Sequence, residues 1–258
     1  MKGEFHVLLP SDSCMKYYPD NTVARFTTQL PEEIKLQGKW VIGLTEFSFP
    51  SSFLNVKAGT LIDAFLFYPE DDTSYKKTSD CVIPKGYYNN PTLVTEELNA
   101  YIEGEDLEFT LNKNVYVSGV FNPGTHRVIV IHQSTHLINI IGFDENNLTV
   151  QIEEPTINAV RSMNLNGSMP RELFLYSDIC EPYINGDVHA PFLTKLNVDF
   201  SKFDYWGMQS KAISTPRYLP ILLTGFRTIL IDIRDHFGNP APFEHGRPSV
   251  TLHFKRLA

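Results

Sequence analysis

Alternation of apolar and polar residues is the dominant pattern in this chain, and it is clearest near residues 230 and 252. In Thr228–Asp235 every second residue is an isoleucine, and Ser249–Lys255 places Val250, Leu252 and Phe254 on one face. A period of two residues is that of a β-strand with one buried face. We predict two half-buried strands that share one core, the second in the middle of a sheet. The outward residues are expected to be Ser249, Thr251, His253 and Lys255.

Other segments with strand-like patterns lie on both sides of a central region. Trp40–Phe49 has apolar residues on both faces, which is typical of a strand inside a sheet that is covered twice. A strand that starts at Val23 is expected to end at the Leu30-Pro31 step, and residues 201–216 are expected to be irregular. The remaining predicted strands cover residues 5–9, 61–68, 173–179 and 192–198.

The pattern changes after Cys81. Asn90 and Pro91 match a helix N-cap followed by proline at the first helical position. Apolar residues then recur at the helical period up to Gly104, namely Leu93, Val94, Leu98, Tyr101 and Ile102. Strand-like segments follow at 107–111, 114–121 and 127–132, the last two joined by a turn at 122–124. Residues 136–143 fit either a helical turn or a strand.

This order of elements predicts a mainly β fold, an antiparallel jelly-roll sandwich with an inserted small α+β subdomain. We assign residues 1–80 to the first half of the jelly roll, 81–160 to the insertion and 161–258 to the second half. Another Greek-key sandwich would fit the same strand count. The chain has 258 residues with 18 Phe and 12 Tyr, and only 20% are charged, which suits large buried contacts between sheets.

Charge and cysteine content narrow the function classes. The net charge is −8 and no run of Lys or Arg exceeds two residues, so we expect no nucleic-acid or anionic-lipid partner. Cys14, Cys81 and Cys180 lack the paired spacing of a metal site or a disulfide framework, and we expect free thiols in a reducing compartment. We also expect no secretory signal peptide and no membrane span.

No recognisable catalytic motif occurs in the sequence, so we expect neither enzymatic activity nor a cofactor. His132 and His136 have the spacing of a metal-binding helix turn, with His126 nearby. Gln133 stands where a metalloprotease needs a glutamate as general base, so exposed or packed histidines are the favoured interpretation. His6 and His253 are single and separated in the sequence.

Three further clusters each have a structural and a functional interpretation. Asp178, Glu181 and Asp187 are more typical of turns at strand ends than of a calcium loop, whose ligand spacing they lack. Residues 232, 234 and 235 fit a solvated or cross-strand charge ladder first and a subunit contact second. The aromatic residues at 203, 205 and 206 fit a loop folded over the core first, and a sugar-stacking platform or interface anchor second.

Four stretches carry a resemblance to a known family. The first combines LLPSDS at 8–13, TTQLP at 27–31 and WVIGLTE at 40–46. The second combines GYY at 86–88, the helix after it and IGF at 141–143. The third covers 174–191, and the fourth covers 218–256 with APFEHG and VTLHF. In order and spacing they resemble the penton, or minor capsid, protein of Maverick/Polinton elements and adintovirus-like DNA viruses. Thr194 stands where that family usually has arginine.

The resemblance implies a jelly roll that forms homopentamers at the vertices of an icosahedral capsid. Its implied partner is a major capsid protein of the double-jelly-roll type, and its implied location is a virion assembled inside the host cell. A closed ring needs two different side surfaces on each subunit. We expect the interface to draw on Glu181, Tyr183, Asp187, Asp232, Arg234, Phe243, Glu244 and Arg247. The alternative is a jelly-roll carbohydrate- or receptor-binding module, including one domesticated by a host.

Overall fold

The computed structural model describes residues 3–57, 61–62, 64–69, 76–77, 81–102, 107–121, 126–132, 135–144, 149–151 and 156–257. From 61 to 82, at 101, from 121 to 137 and at 149–151 the description covers the backbone alone. Contacts divide the chain into two compact units. The outer unit comprises Met1–Phe53 and Pro170–Ala258, and the inserted unit comprises Leu54–Met169. The insertion thus takes in residues 61–69, which the sequence interpretation assigns to the first half of the jelly roll.

The elements of the two units follow one another along the chain as three groups. The first group is β1 (Glu4–Pro10), β2 (Arg25–Lys35) and β3 (Trp40–Pro50). The inserted unit contains β4 (Leu61–Ile62), β5 (Ala64–Pro69), β6 (Lys76–Lys77), β7 (Cys81–Val82), α1 (Pro91–Tyr101), β8 (Leu107–Leu111), β9 (Val117–Phe121), β10 (His126–His132), α2 (Thr135–Ile141), β11 (Thr149–Gln151) and β12 (Thr156–Asn158). The last group is β13 (Glu172–Ser177), β14 (Tyr183–Asn185), β15 (Val188–Ala190), β16 (Phe192–Asn197), a 3₁₀ turn (Phe200–Lys202), β17 (Met208–Ala212), β18 (Leu219–Pro220), β19 (Gly225–Arg234) and β20 (Ser249–Arg256).

Two antiparallel sheets form the outer unit. The first has the order β1-β20-β3-β17, with β18 also paired to β3, and the second has the order β16-β13-β19-β2. The eight principal strands are, in chain order, β1, β2, β3, β13, β16, β17, β19 and β20. Numbered 1 to 8 in that order, they give sheets with strand orders 1-8-3-6 and 5-4-7-2. This is the double Greek key of a jelly roll, which confirms the predicted fold class.

The inward faces of the two patterned strands form one core, as predicted. Ile231 of β19 and Leu252 of β20 are both completely buried, as are their same-face neighbours Ile229, Ile233, Val250 and Phe254. Phe254 stacks on Phe226 of the opposite sheet, with ring centroids 5.6 Å apart. Burying a side chain of this size stabilises the fold by roughly 2 kcal/mol relative to leaving it exposed.

The strands β19 and β20 are central, but they do not pair with each other. β19 lies between β2 and β13, whereas β20 lies between β1 and β3. The loop at 236–248 therefore crosses from one sheet to the other, which requires more residues and more turns than a hairpin does. His253 was predicted to point to solvent and is instead 8% exposed, because Tyr218 covers it.

Two other strand predictions need correction. β2 does not end at Pro31 but continues to Lys35, past a register shift opposite Phe226–Thr228. Proline is tolerated there because β2 is an edge strand and its missing N–H would face away from the sheet. The segment 201–216, expected to be irregular, contains β17, which pairs with β3.

In the inserted unit, α1 begins as predicted. The Asn90 side chain accepts a hydrogen bond from the Thr92 amide at 3.0 Å, and Pro91 opens the first turn. Val94 and Leu98 are completely buried and Ile102 nearly so, but Leu93, assigned to the same apolar face, is 40% exposed. The segment 136–143, for which helix and strand were both open, contains α2.

Strands of the inserted unit lie in separate sheets. β9 pairs with β8 and β12, whereas β10 pairs with β5 and β11, so β9 and β10 are not paired with each other although they are consecutive in sequence. Gly142 follows α2 with a φ of +82°, and its carbonyl accepts from the amides of Val160 and Arg161. A side chain at this position would clash with the Arg161 backbone, so glycine is required. No helix among the described residues is both long and apolar enough to cross a membrane.

Candidate assembly surfaces

A groove of about 370 Å³ lies on the outer face of the second sheet of the outer unit. Its floor is formed by outward residues of β13 and β19, and its wall by the hairpin of β14 and β15. Two of the predicted interface residues, Asp232 and Arg234, line it together with Tyr176, Asp178 and Val188. The groove therefore joins the predicted charge ladder to the hairpin that contains the predicted turn at 181–187.

Within this groove, Asp232 and Arg234 form an ion pair with two hydrogen bonds. The Arg234 Nε and Nη2 donate to Asp232 Oδ2 at 3.0 and 2.8 Å, and Nη1 donates to the Gly238 carbonyl at 3.0 Å. The hydrogen bond to Asp232 raises the pKa of Arg234. Asp232 Oδ1 is buried without a hydrogen-bond partner among the described residues. Arg25 Nε also lies 3.9 Å from Asp232 Oδ2, so this carboxylate is held between two guanidinium groups at the groove.

Asp178 has a structural role at the same groove. Its Oδ1 accepts a hydrogen bond from the Leu230 amide at 2.9 Å, just beyond the last β13–β19 pair. Desolvation raises the pKa of Asp178, although this hydrogen bond acts in the opposite direction. The carboxylate therefore closes the ladder where β13 ends. No group of three metal-ligating side chains occurs in the described part of the chain, which includes Asp178, Glu181 and Asp187.

The predicted turn at 181–187 is a short hairpin. β14 and β15 are joined by Gly186 and Asp187, and Gly186 has a φ of +66°. Tyr183 is fixed at its base, because the Arg217 guanidinium lies 4.3 Å above its ring and Arg217 Nη1 donates to its hydroxyl at 2.9 Å. Glu181 and Asp187 are exposed. The exposed carboxylates therefore lie at two places, Asp187 at the tip of the hairpin and Glu181 before its base.

The crossing loop at 236–248 is packed at its centre. Phe243 stacks on Phe53 with ring centroids 5.3 Å apart, and the Glu244 amide donates to the Ser52 carbonyl at 3.1 Å. Gly246 has a φ of +97°, and a Cβ there would lie 2.5 Å from Pro50. The motif residues of this loop thus hold it against β3 and the residues after it. Phe243 is half-buried and packs within the chain, and its predicted place at an interface stays a prediction.

Two predicted interface residues of this loop remain accessible. Glu244 is exposed, and Arg247 is 78% exposed while its Nη1 lies 3.0 Å from Asp12 Oδ2. An ion pair so open to solvent adds at most about 1 kcal/mol to stability. Both side chains are thus exposed at the surface of the loop.

The aromatic cluster next to this loop divides into a buried and an exposed part. Phe203 packs on Phe53, with ring centroids 6.2 Å apart, as expected for a loop folded over the core. Trp206 is 78% exposed and stacks on His245 at 4.9 Å, and Tyr205 meets both rings edge-on. His245 thus covers one face of the Trp206 indole ring, and most of the rest of this side chain is exposed to solvent.

The remaining chemical candidates are structural where they are described. Cys14 and Cys180 are free, buried thiols, and burial raises the pKa of Cys180 to about 11, which makes it a poor nucleophile. His6 and His253, separate in sequence, stack at 4.3 Å across β1 and β20. The side chains of His126, His132 and His136 lie outside the described part of the structure.

Sequence reasoning missed Arg217, the residue that fixes Tyr183. It lies 34 residues away in a segment without periodicity, so no local pattern marks it. The only available signal was residue type, because arginine is a common cation–π partner of tyrosine rings such as that of Tyr183.

The fold can be compared with those of known proteins. No family model matches the sequence, and no curated protein matches it either. Among solved structures, the mavirus penton protein aligns with a TM-score of 0.55 and 14% sequence identity, over 98% of this chain and all of the penton chain. A chain of the Sputnik virophage aligns with a TM-score of 0.47 and 11% identity, over 98% and 97% of the two chains.

The first of these alignments covers both the jelly roll and the insertion. At 14% identity it establishes common architecture and does not assign individual residues. From end to end, this chain has the fold of the mavirus penton protein.

Proposed function

We propose that this chain is a structural subunit of an icosahedral capsid, in which it forms homopentamers at the vertices beside a double-jelly-roll major capsid protein. The observation that carries the proposal is the alignment with the mavirus penton protein over the full length of both chains, insertion included. A receptor-binding module built on a jelly roll alone would not need the same inserted unit.

The accessible surfaces of the outer unit support this role. The groove over β13 and β19, lined by Tyr176, Val188 and the Asp232–Arg234 pair, differs in chemistry from the exposed loop residues Glu244 and Arg247. A ring closes only when each subunit offers two different surfaces that complement each other. The negative chain, with a net charge of −8, suits contacts with other proteins more than contacts with a packaged genome.

Native mass spectrometry of the purified chain tests the proposal, with negative-stain imaging of the same sample. We expect a species of five subunits, of about five times 29.4 kDa, that images as fivefold rings. A chain that remains monomeric at every concentration, with and without the major capsid protein, contradicts it.

A second function is favoured by one observation, the exposed indole of Trp206 stacked on His245. Flat aromatic faces of this kind stack on sugar rings, so the chain would then be a carbohydrate-binding module. Thermal stabilisation by glycans that is lost in Trp206→Ala and kept in Phe237→Ala supports it. Phe237 is a matched control because it is also exposed, at 74%, and lies in the crossing loop.

A further inference from the structure

The edges of the two sheets in the outer unit differ in how their backbone groups are used. The edges of the first sheet are β1 on one side and β17, followed by the short β18, on the other, and those of the second sheet are β2 and β16. Half of the N–H and C=O groups of an edge strand point away from the sheet, where they invite another strand. The location of their partners therefore shows which edges are closed and which are open.

Both edges of the second sheet are closed or blunted. Along β2 the outward groups of Thr27 bond to the Asn21 side chain, and those of Arg25 bond to Thr22. β16 carries a register shift and an outward Lys195 paired with Glu172 at 2.7 Å. A bulge and a lysine on an edge both hinder the addition of a strand.

Both edges of the first sheet are open within the described residues. The Gly3 carbonyl accepts from Arg256 and the Ser11 amide donates to Pro248, so odd-numbered residues of β1 face β20. The backbone groups of Glu4, His6 and Leu8 consequently point outward. On β17 the bonds of Gly207 and Ile213 to β3 similarly turn Met208, Ser210 and Ala212 outward.

The two open edges match in length and direction. Each offers three outward residues, and three facing pairs would make about six backbone hydrogen bonds. Along the path β1-β20-β3-β17 every neighbouring pair is antiparallel, so β1 and β17 run in opposite directions. A rotation axis along the strands preserves these directions, so β17 of one subunit meets β1 of the next as an antiparallel neighbour.

We propose that copies of this chain join edge to edge, with β1 of one subunit paired to β17 of the next in a closed ring. The register that aligns all three outward pairs sets Leu8 opposite Met208, His6 opposite Ser210, and Glu4 opposite Ala212. The partner is a second copy of this chain, and the inference rests on the proposed ring-forming function. Its surfaces are heterologous, as ring closure requires.

Side chains favour this register. Leu8 and Met208 are 60% and 53% exposed, unusual values for large apolar residues, and both lie on the outer face of the sheet. Facing each other, they would remove one another from water, and cross-strand pairs of this kind stabilise a sheet by up to about 1 kcal/mol. The small Ala212 leaves room for Glu4.

A charge-swap experiment tests the pairing by native mass spectrometry and sedimentation. Leu8→Lys combined with Met208→Lys places two positive charges opposite each other, and we expect the concentration for half-assembly to rise at least about tenfold. Leu8→Lys combined with Met208→Glu places opposite charges there, and assembly should recover. Leu222→Lys is the control, because Leu222 is similarly exposed, at 54%, and lies outside both edges.

Cysteine pairs test the register itself. Under a mild oxidant, His6→Cys with Ser210→Cys should produce covalent rings, because directly opposite residues lie within disulfide reach. His6→Cys with Met208→Cys is the control, since diagonal residues lie roughly 7–8 Å apart and should cross-link poorly.

The outcomes separate this inference from the proposed function. Pentamers of the unmodified chain that persist unchanged in the Lys/Lys variant overturn the edge pairing and leave the capsid role intact. A Lys/Glu variant that stays as dissociated as Lys/Lys also overturns the pairing. An unmodified chain that is monomeric at every concentration overturns both.

Discussion

The edge strands β1 and β2 lie on either side of a groove of about 790 Å³, yet their outward backbone groups have opposite fates. On β2, the preceding loop satisfies them through Asn21, Thr22 and Cys14, the last of which accepts from the Gln29 amide at 3.2 Å. On β1 the outward backbone groups of Glu4, His6 and Leu8 have no backbone partner among the described residues. The same sandwich thus closes one edge with its own loop and leaves another edge open, and the open edge is the one that we propose for assembly.

The largest expected effect concerns the core on which both edges depend. Ile231→Asp puts a carboxylate at a completely buried position of β19, the strand that carries β2. We expect a loss of about 4 kcal/mol or more and no soluble folded protein, because the buried charge has no partner. Soluble yield and circular dichroism measure the result.

Thr228→Asp is the matched control, because Thr228 lies in the same strand but is only half-buried. It should remain soluble and folded. If Ile231→Asp folds and assembles as the unmodified chain does, Ile231 does not point into the core. The strand assignments on which the comparison of the two edges depends would then be wrong.

A smaller effect is expected when the cover of β2 is removed. The Asn21 side chain accepts from the Thr27 amide at 2.9 Å and donates to the Thr27 carbonyl at 3.0 Å, so Asn21→Ala leaves two backbone groups without this partner. We expect a loss of about 1–2 kcal/mol in the free energy of unfolding, measured by urea denaturation. Opening this edge should also promote irregular self-association at high concentration.

Asp20→Ala serves as control for that variant, because Asp20 is an exposed neighbour in the same loop. Its free energy of unfolding should change by less than about 0.5 kcal/mol. Equal losses in the two variants would show that the loop, and not the Asn21 bridge, protects the edge.

The sequence was sufficient to predict what depends on local pattern. The alternating isoleucines of β19 and the Asn90-Pro91 cap of α1 each led to a correct element, because side-chain period and capping act within a few residues. Strand order was not accessible in the same way. β19 and β20 look like a hairpin along the chain, and only the full set of partners separates them into two sheets.

The candidate surfaces show the same limit. Asp232 and Arg234 were identified because residues two apart on a strand share a face, and the structure places both in one groove. The cover over His253 comes from Tyr218, which is 35 residues away in sequence and arrives by the path of a loop. No period in the chain encodes such a contact.

The smallest expected effect is a pH dependence of the open edge, centred on His253. The pKa of His253 is lowered, chiefly by desolvation and then by the nearby His6, while Glu4 acts in the opposite direction. The Tyr218 hydroxyl lies 2.7 Å from its Nδ1, and Glu4 Oε2 lies 3.4 Å from its Nε2. The native state thus favours the neutral imidazole ring of His253. This ring lies on β20 and stacks on His6 of the edge strand β1.

The sign of the effect follows from the lowered pKa. The unfolded chain takes up a proton near pH 6.5, whereas the folded chain does so only at a lower pH, so acidification between these values favours unfolding. The free energy of unfolding should therefore fall as the pH drops below about 6.5. His253→Gln, which does not titrate, should flatten this fall, whereas His189→Gln, at an exposed histidine of β15, should not. An identical slope in all three proteins would show that another group controls the acid response, and that protonation at His253 does not reach the β1 edge.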